Sequence, residues 1–165
     1  MADSRLFGAP GGGLAHPIAI AAMLTLIAND HWWKHAHPSW LTGKLSDFAG
    51  IVFFPLLLEA VVEVVAAGIK RYDGPSSLIL YVMIGLTAVG FTWVKTTALG
   101  AHAYGLVLGG AQWPFQRLIA WVLGRPPHAL GHPGIVRDAS DLGALVGLAL
   151  TYVVGRARRL DHLDR

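Results

Sequence analysis

Residues 48–69 read FAGIVFFPLLLEAVVEVVAAGI, an apolar run that only Glu59 and Glu63 interrupt. A helix needs about 20 mostly apolar residues to cross a bilayer, so this run predicts a transmembrane helix. Comparable runs occur on both sides of it. We therefore predict an all-α transmembrane bundle in which residues 1–165 form a single domain. The predicted spans lie near residues 14–29, 47–69, 76–96 and 139–156.

The composition supports a chain that is surrounded by lipid. Of its 165 residues, 54% are hydrophobic and 14% are charged, and the mean hydropathy is +0.51. Soluble domains carry about 25% charged residues, and a small fold in water cannot bury this much apolar surface. The net charge of +3 is too small to indicate nucleic-acid binding. The chain contains no cysteine, which excludes disulfides and thiolate metal sites.

The region between the third and fourth spans allows two interpretations. Residues 96–116 are uncharged but rich in glycine and proline, which favours a helix extension followed by a surface loop. Trp113, Arg117 and Trp121 are four residues apart, so residues 113–124 are predicted to form an interfacial helix. The alternative is that residues 96–116 form a fifth span.

Basic residues predict the orientation. With four spans, the N-terminus, residues 69–75 and the C-terminal tail share one side of the membrane. That side carries basic residues in short segments, which places both termini in the cytoplasm by the positive-inside rule.

Two similar polar motifs predict a cluster at the outer face. Residues 37–50 and 132–143 each contain His-Pro, a basic residue, and a Ser-Asp pair at the predicted start of an apolar helix. Helix capping by Ser46-Asp47 and Ser140-Asp141 is one explanation. The other is a binding site, because charged groups at bilayer depth mark function unless they are paired. The candidate binding residues are Lys44, Asp47, Glu59, Lys95, Arg137, Asp138 and Asp141. We predict that Asp47, Lys95 and Asp141 meet.

Glu59 and Glu63 are one turn apart on the second span. Glu63 is expected to reach water near Lys70 and Arg71 and so to tolerate replacement by glutamine. Glu59 lies deeper and is expected to need a buried partner or a proton.

The histidines offer a weaker metal hypothesis. His31 and His35 are four residues apart, as ligands on one helical face would be, whereas His128 and His132 flank Gly131 and follow two prolines. We predict no metal and no cofactor, since the chain has no zinc-protease motif, no nucleophile elbow and no phosphate loop.

Residues 137–147, RDASDLGALVG, resemble the last helix of the VanZ-like membrane proteins. Residues 44–49 resemble the start of that family's second helix, with Asp47 where the family has histidine. Residues 43–50, GKLSDFAG, also resemble small bacterial four-helix membrane proteins known only as uncharacterised. The resemblance implies a bacterial inner-membrane protein with its polar motifs toward the envelope, linked to glycopeptide resistance or lipid metabolism. No catalytic residue carries over, because the matching positions diverge, and Leu145 or a neighbour stands where the family has asparagine.

Three functions follow as hypotheses. The first is a non-enzymatic protein whose outer-face cluster binds a lipid headgroup, an envelope intermediate or another subunit, including a second copy of the chain. The second is a membrane-embedded enzyme that acts on an anionic lipid-linked substrate, with Asp47 or Asp141 as general base. The third is a small proton or cation conductor that uses Glu59 and Glu63.

Overall fold

A computed structural model describes residues 7–126, 131 and 134–163. The fold is all-α, as predicted, with 83% of the described residues in helix. Five α-helices longer than one turn occur in the described part of the chain. They are α1 (Pro17–Ala28), α2 (Trp40–Gly68), α3 (Ser77–Thr96), α4 (Ala98–Val122) and α5 (Leu148–Leu163).

Helix α1 does not end at the predicted residue 29. His16 caps its start by accepting the Ile18 amide proton, and a proline follows at the first helical position. At its end the chain widens into a π turn at Asn29–Trp33, which continues into a short α turn at Lys34–Ala36. Residues 17–36 are therefore helical without a break. A π turn inside a helix often marks a functional position.

Helix α2 begins earlier than predicted. Ser39 and Thr42 form a reciprocal capping box in which the Thr42 amide donates to Ser39 Oγ at 3.3 Å and the Ser39 amide to Thr42 Oγ1 at 3.1 Å. The prediction that Ser46 and Asp47 cap this helix is wrong, because both lie inside it. Their amide groups already bond to the preceding turn of the helix, so no unpaired amide is left there for them to cap.

Helices α2 and α3 are, among the described helices, the two long and apolar enough to cross a membrane by length and composition. Their surroundings differ, since 44% of the most apolar stretch of α2 is buried but only 17% of that of α3. Leu78, Val82, Leu86 and Val89 follow one face of α3 and are exposed. An apolar face of this size indicates contact with lipid or another protein.

The chain divides into two compact units, Met1–Ala88 with Gly143–Arg165, and Val89–Leu142. In the first unit Ala19 of α1, Leu56 of α2 and Val154 of α5 form the buried core. Helix α5 approaches the start of α3 so closely that a side chain at Gly155 would overlap Leu80. Thr151 strengthens the α2–α5 contact by donating to the Val52 carbonyl at 3.0 Å.

The first unit has two polar ends. At one end, the N-terminal segment meets the turn before α3 and the second half of α5, because Tyr72 donates to the Gly8 carbonyl and Arg158 to the Phe7 carbonyl. At the other end, Asn29 contacts the first turn of α2 through the Thr42 carbonyl. The two ends are separated by most of the length of α2, about 30 Å at 1.5 Å per residue.

In the second unit the structure differs from the predicted secondary structure over a long stretch of chain. Helix α4 is continuous from Ala98 to Val122 and passes through Pro114, so the predicted loop before a separate helix at residues 113–124 is wrong. Glycine and proline predict a loop there, but apolar helices of membrane proteins tolerate both. Thr97 alone separates α3 from α4, and its hydroxyl accepts the Gly100 amide proton at 2.9 Å.

Gly100 lies where this tight turn leaves no room for a side chain. A β-carbon there would be 2.5 Å from the Trp93 carbonyl oxygen, and backbone atoms cannot move aside cheaply. We expect Gly100→Ala to lower the free energy of unfolding in mild detergent by about 1–3 kcal/mol. Gly110→Ala in the same helix is the control, because it meets nothing within 4 Å and should stabilise by about 0.5–1 kcal/mol. Equal effects of the two substitutions would contradict this account of the turn.

Candidate functional site

A buried ion pair joins α2 to α5. Arg158 is 2% exposed and Glu63 is 0% exposed. The guanidinium donates from Nη1 to Glu63 Oε1 and from Nη2 to Glu63 Oε2, both at 2.8 Å. The Gly11 amide donates to Glu63 Oε2, also at 2.8 Å, from a left-handed conformation with φ of 75° that favours glycine. Arg158, Glu63, Glu59 and Tyr72 are called the Arg158 cluster below.

The remaining donors of Arg158 hold the N-terminal segment and the turn before α3. Nε donates to the Phe7 carbonyl at 2.6 Å, and Nη2 donates to the Ala9 carbonyl at 2.7 Å. Nη2 also lies 3.2 Å from the Tyr72 hydroxyl. Burial, together with the negative charge of Glu63, raises the pKa of Tyr72, so this hydroxyl stays protonated at neutral pH.

Glu59 completes the cluster without a hydrogen bond of its own. It is 2% exposed, and its Oε1 lies 3.8 Å from Arg158 Nη1. Its Oε2 is buried and has no hydrogen-bond partner among the described residues. The prediction that Glu63 reaches water near Lys70 and Arg71 is wrong, because Glu63 is the more deeply bound of the two carboxyls.

Sequence reasoning missed Arg158, which it grouped with the basic tail. A signal was present in the spacing, since Thr151, Val154, Gly155 and Arg158 recur at three- and four-residue intervals and are all buried. Such spacing places them on one helical face. An arginine in line with buried residues requires a buried anion.

A second polar cluster forms where α1 ends. Asn29 is 0% exposed, and its Nδ2 donates to the Thr42 carbonyl and to Ser46 Oγ, both at 2.6 Å. The carbonyl can only accept, so this contact fixes which end of the amide faces it. Oδ1 therefore points the other way, and it is buried with no hydrogen-bond partner in the described part of the chain.

Asp30 extends this cluster toward the surface. Its Oδ1 accepts from Ser46 Oγ at 2.6 Å and pairs with Lys34 Nζ at 2.6 Å. Asn29, Asp30, Lys34, Thr42 and Ser46 are called the Asn29 cluster.

Two predicted binding residues lie beside the Asn29 cluster along the chain. Lys44 and Asp47 flank Ser46 in the first turns of α2, and both are partly exposed. The Lys44 ammonium is 4.9 Å from the centre of the Trp40 ring.

Lys95 and Asp141 meet in the second unit. Lys95 Nζ is 2.7 Å from Asp141 Oδ2, and each side chain is 12% exposed. This distance agrees with the prediction for that pair. Asp47 belongs to the first unit, so its meeting with the pair stays a prediction.

Asp138, rather than Ser140 or Asp141, caps the helical turn that precedes α5. Its Oδ1 accepts from the Ser140 amide at 2.8 Å and from Ser140 Oγ at 2.7 Å, at the start of the 3₁₀ helix Ala139–Gly147. The capping prediction for Ser140-Asp141 is therefore wrong. Arg137 is exposed beside this turn.

The histidines do not form a recognisable metal centre in the described segments. No three histidine or carboxylate residues come together there. His31 and His35 are exposed, and His31 Nδ1 lies 3.0 Å from the Ile27 carbonyl oxygen. His128 and His132, with the His-Pro of the second motif, lie outside the described residues.

Comparison with known proteins leaves the family open. No model of a protein family, no curated protein and no solved structure matches the chain. The resemblance to the VanZ-like proteins stays a prediction, and function is argued below from geometry.

Arg158 should be essential to the folded state. Arg158→Met removes the partner of a fully buried carboxylate and three donors to the N-terminal segment and its neighbouring turn, so we expect a loss of roughly 3–5 kcal/mol. Arg156→Met, two residues earlier on the exposed face of α5, should change stability by less than about 0.5 kcal/mol. Unfolding by denaturing detergent, followed by circular dichroism, measures both. Similar stability of the two variants would contradict the central role of Arg158.

Proposed function

We propose that this chain is a multi-pass protein of the bacterial inner membrane that binds a polar or ionic partner at its outer face. Helices α2 and α3 supply two crossings. The unbroken helix of residues 17–36 supports a third, since it is about 30 Å long at 1.5 Å per residue. The 3₁₀ helix Ala139–Gly147 continues directly into α5, and together they support a fourth.

The two polar ends of the first unit favour an even number of crossings. Residues 7–11 and the second half of α5 meet in the Arg158 cluster, so the chain leaves the unit at the end where it entered. Lys70 and Arg71 lie at this end, and Arg156 and Arg159 lie on the adjoining half of α5. By the positive-inside rule this end is cytoplasmic and the Asn29 cluster is at the outer face.

Reporter fusions test the topology. A reporter placed after residue 163 or in the turn at residues 70–76 should be cytoplasmic, and one placed at residues 37–39 should be outside. The expected result follows from the parity of the crossings and the basic residues. Opposite locations for the reporters at residues 70–76 and after residue 163 would refute the four-span topology.

The observation that carries the binding function is the unused acceptor of Asn29. A fully buried amide oxygen without a partner costs about 1–3 kcal/mol, and such a group in a folded protein calls for an explanation. It lies in a π turn, next to the carboxylate of Asp30, which pairs with Lys34. A bound group that donates a hydrogen bond would satisfy Asn29 and be attracted by the carboxylate.

This chemistry limits the class of partner. Asn29 Oδ1 and the carboxylates of Asp30 and Asp47 accept hydrogen bonds, whereas Lys34 and Lys44 bring positive charge. A headgroup with an ammonium or hydroxyl donor and a phosphate matches both signs. A zwitterionic lipid headgroup, or an envelope intermediate of the same chemistry, is therefore the favoured partner.

Retention of lipid by the purified full chain tests this proposal. We expect the wild-type protein to retain a phospholipid with a donor-bearing headgroup after detergent washing, measured by mass spectrometry. Asp30→Asn and Asp47→Asn should reduce the retained lipid by about tenfold, the value of one charge-assisted hydrogen bond, while the protein stays folded. Asp73→Asn, in the exposed turn at the other end of α2, should retain it. Equal retention by all variants would contradict the proposed site.

A further inference from the structure

We propose that Glu59 is a proton-binding site, a neutral carboxylic acid sealed inside the Arg158 cluster. Two carboxyl groups, those of Glu59 and Glu63, share one fully buried guanidinium. With both ionised, the cluster would carry an uncompensated negative charge in an apolar surrounding. One bound proton balances it. This inference goes beyond the proposed binding function and does not depend on it.

The geometry decides which carboxyl holds the proton. Glu63 receives two hydrogen bonds from Arg158 and one from the Gly11 amide, all at 2.8 Å, which is the coordination of an ionised carboxylate. Glu59 is 3.8 Å from Arg158, beyond the 2.7–3.2 Å of a hydrogen bond. No Arg158 hydrogen bond reaches Glu59 in the described part of the chain, since Nε and Nη2 donate to backbone carbonyls, Tyr72 and Glu63, and Nη1 donates to Glu63. Glu59 is therefore the carboxyl that holds the proton.

The other charged groups around Glu59 do not replace the proton. Arg159 follows Arg158 on α5, but its guanidinium lies 5.6 Å from the centre of the Tyr81 ring and attracts Glu59 less than Arg158 does. Tyr72, from the turn before α3, is uncharged at neutral pH. The 3₁₀ turn Gly12–Ala15, which packs on the other side, contains no ionisable side chain.

Backbone atoms seal the site from water. A methyl group at Gly13 would be 3.8 Å from Glu59 Oε2 and 3.7 Å from Arg158 Nη1, so the Gly12–Ala15 turn lies directly over both. Leu56 closes the same space from α2. Since Oε2 is buried and has no hydrogen-bond donor among the described residues, ionisation there is unfavourable. Carboxyls of this kind within membrane helices serve as proton carriers in relays.

A matched pair of substitutions on one helix tests the assignment. Glu59→Gln replaces a neutral acid by a neutral amide of the same shape, so the melting temperature in detergent at neutral pH should change by less than about 4 °C. Glu63→Gln, one turn further on, removes an ionised partner of Arg158 and should lower it by on the order of 10 °C. The sequence alone predicts the opposite order, in which Glu63→Gln is the better tolerated of the two substitutions. Equal destabilisation by the two substitutions would overturn the proposal.

Infrared spectroscopy of the solubilised full chain observes the proton directly. We expect wild-type protein at neutral pH to show the carbonyl stretch of a protonated carboxylic acid, and Glu59→Gln to lack it. Asp73→Asn is the control and should retain the band. Absence of the band from the wild type would refute the proposal. Sodium that stabilises the wild type but not Glu59→Gln, with potassium as the comparison salt, would show a metal cation in place of the proton and would also refute it.

Discussion

The pairing of Arg158 with Glu63 is the constraint around which the first unit is built. Removing both ions from water costs several kcal/mol each, and their attraction offsets this only when every donor and acceptor is used. Arg158 gains its offsetting hydrogen bonds from the carbonyls of the N-terminal segment, the Tyr72 hydroxyl and the carboxylate on α2. One side chain of α5 thus holds the N-terminal segment, α2 and the turn before α3 together at one end of the unit.

The two ends of this unit differ in how far their polar groups reach the surface. At the cytoplasmic end proposed above, Glu59 Oε2 has no hydrogen-bond partner within the described residues, and the Gly12–Ala15 turn covers it. At the other end, Asn29 Nδ2 donates two hydrogen bonds, whereas Asn29 Oδ1 is buried and accepts none from the described residues. A covered cluster stabilises a fold, whereas an unused acceptor next to the exposed carboxylate of Asp30 is suited to a ligand. This contrast is why the ligand site is placed at the Asn29 end.

Sequence patterns predicted where the helices lie better than they predicted the residues at which each helix begins. Ser46-Asp47 and Ser140-Asp141 both look like caps, yet Ser39 and Asp138 supply the caps. Several serine, threonine and aspartate residues precede each helix, and the choice among them depends on where the preceding chain is held. The predicted loop within α4 is wrong for another reason that depends on surroundings. Glycine and proline disfavour a helix in water but disfavour it far less among apolar neighbours.

The sequence by itself determined the helical class, the apolar character of α2 and α3, and the meeting of Lys95 with Asp141. Hydrophobic run length and the high cost of unpaired charge in lipid are enough for these. Only the tertiary structure decided which carboxyl Arg158 binds, since the two residues are 95 positions apart. It also decided that Asn29 is buried, because that depends on how α1 packs against the first turns of α2. Local spacing specifies which face of a helix is apolar, but not which partner lies opposite each polar group on that face.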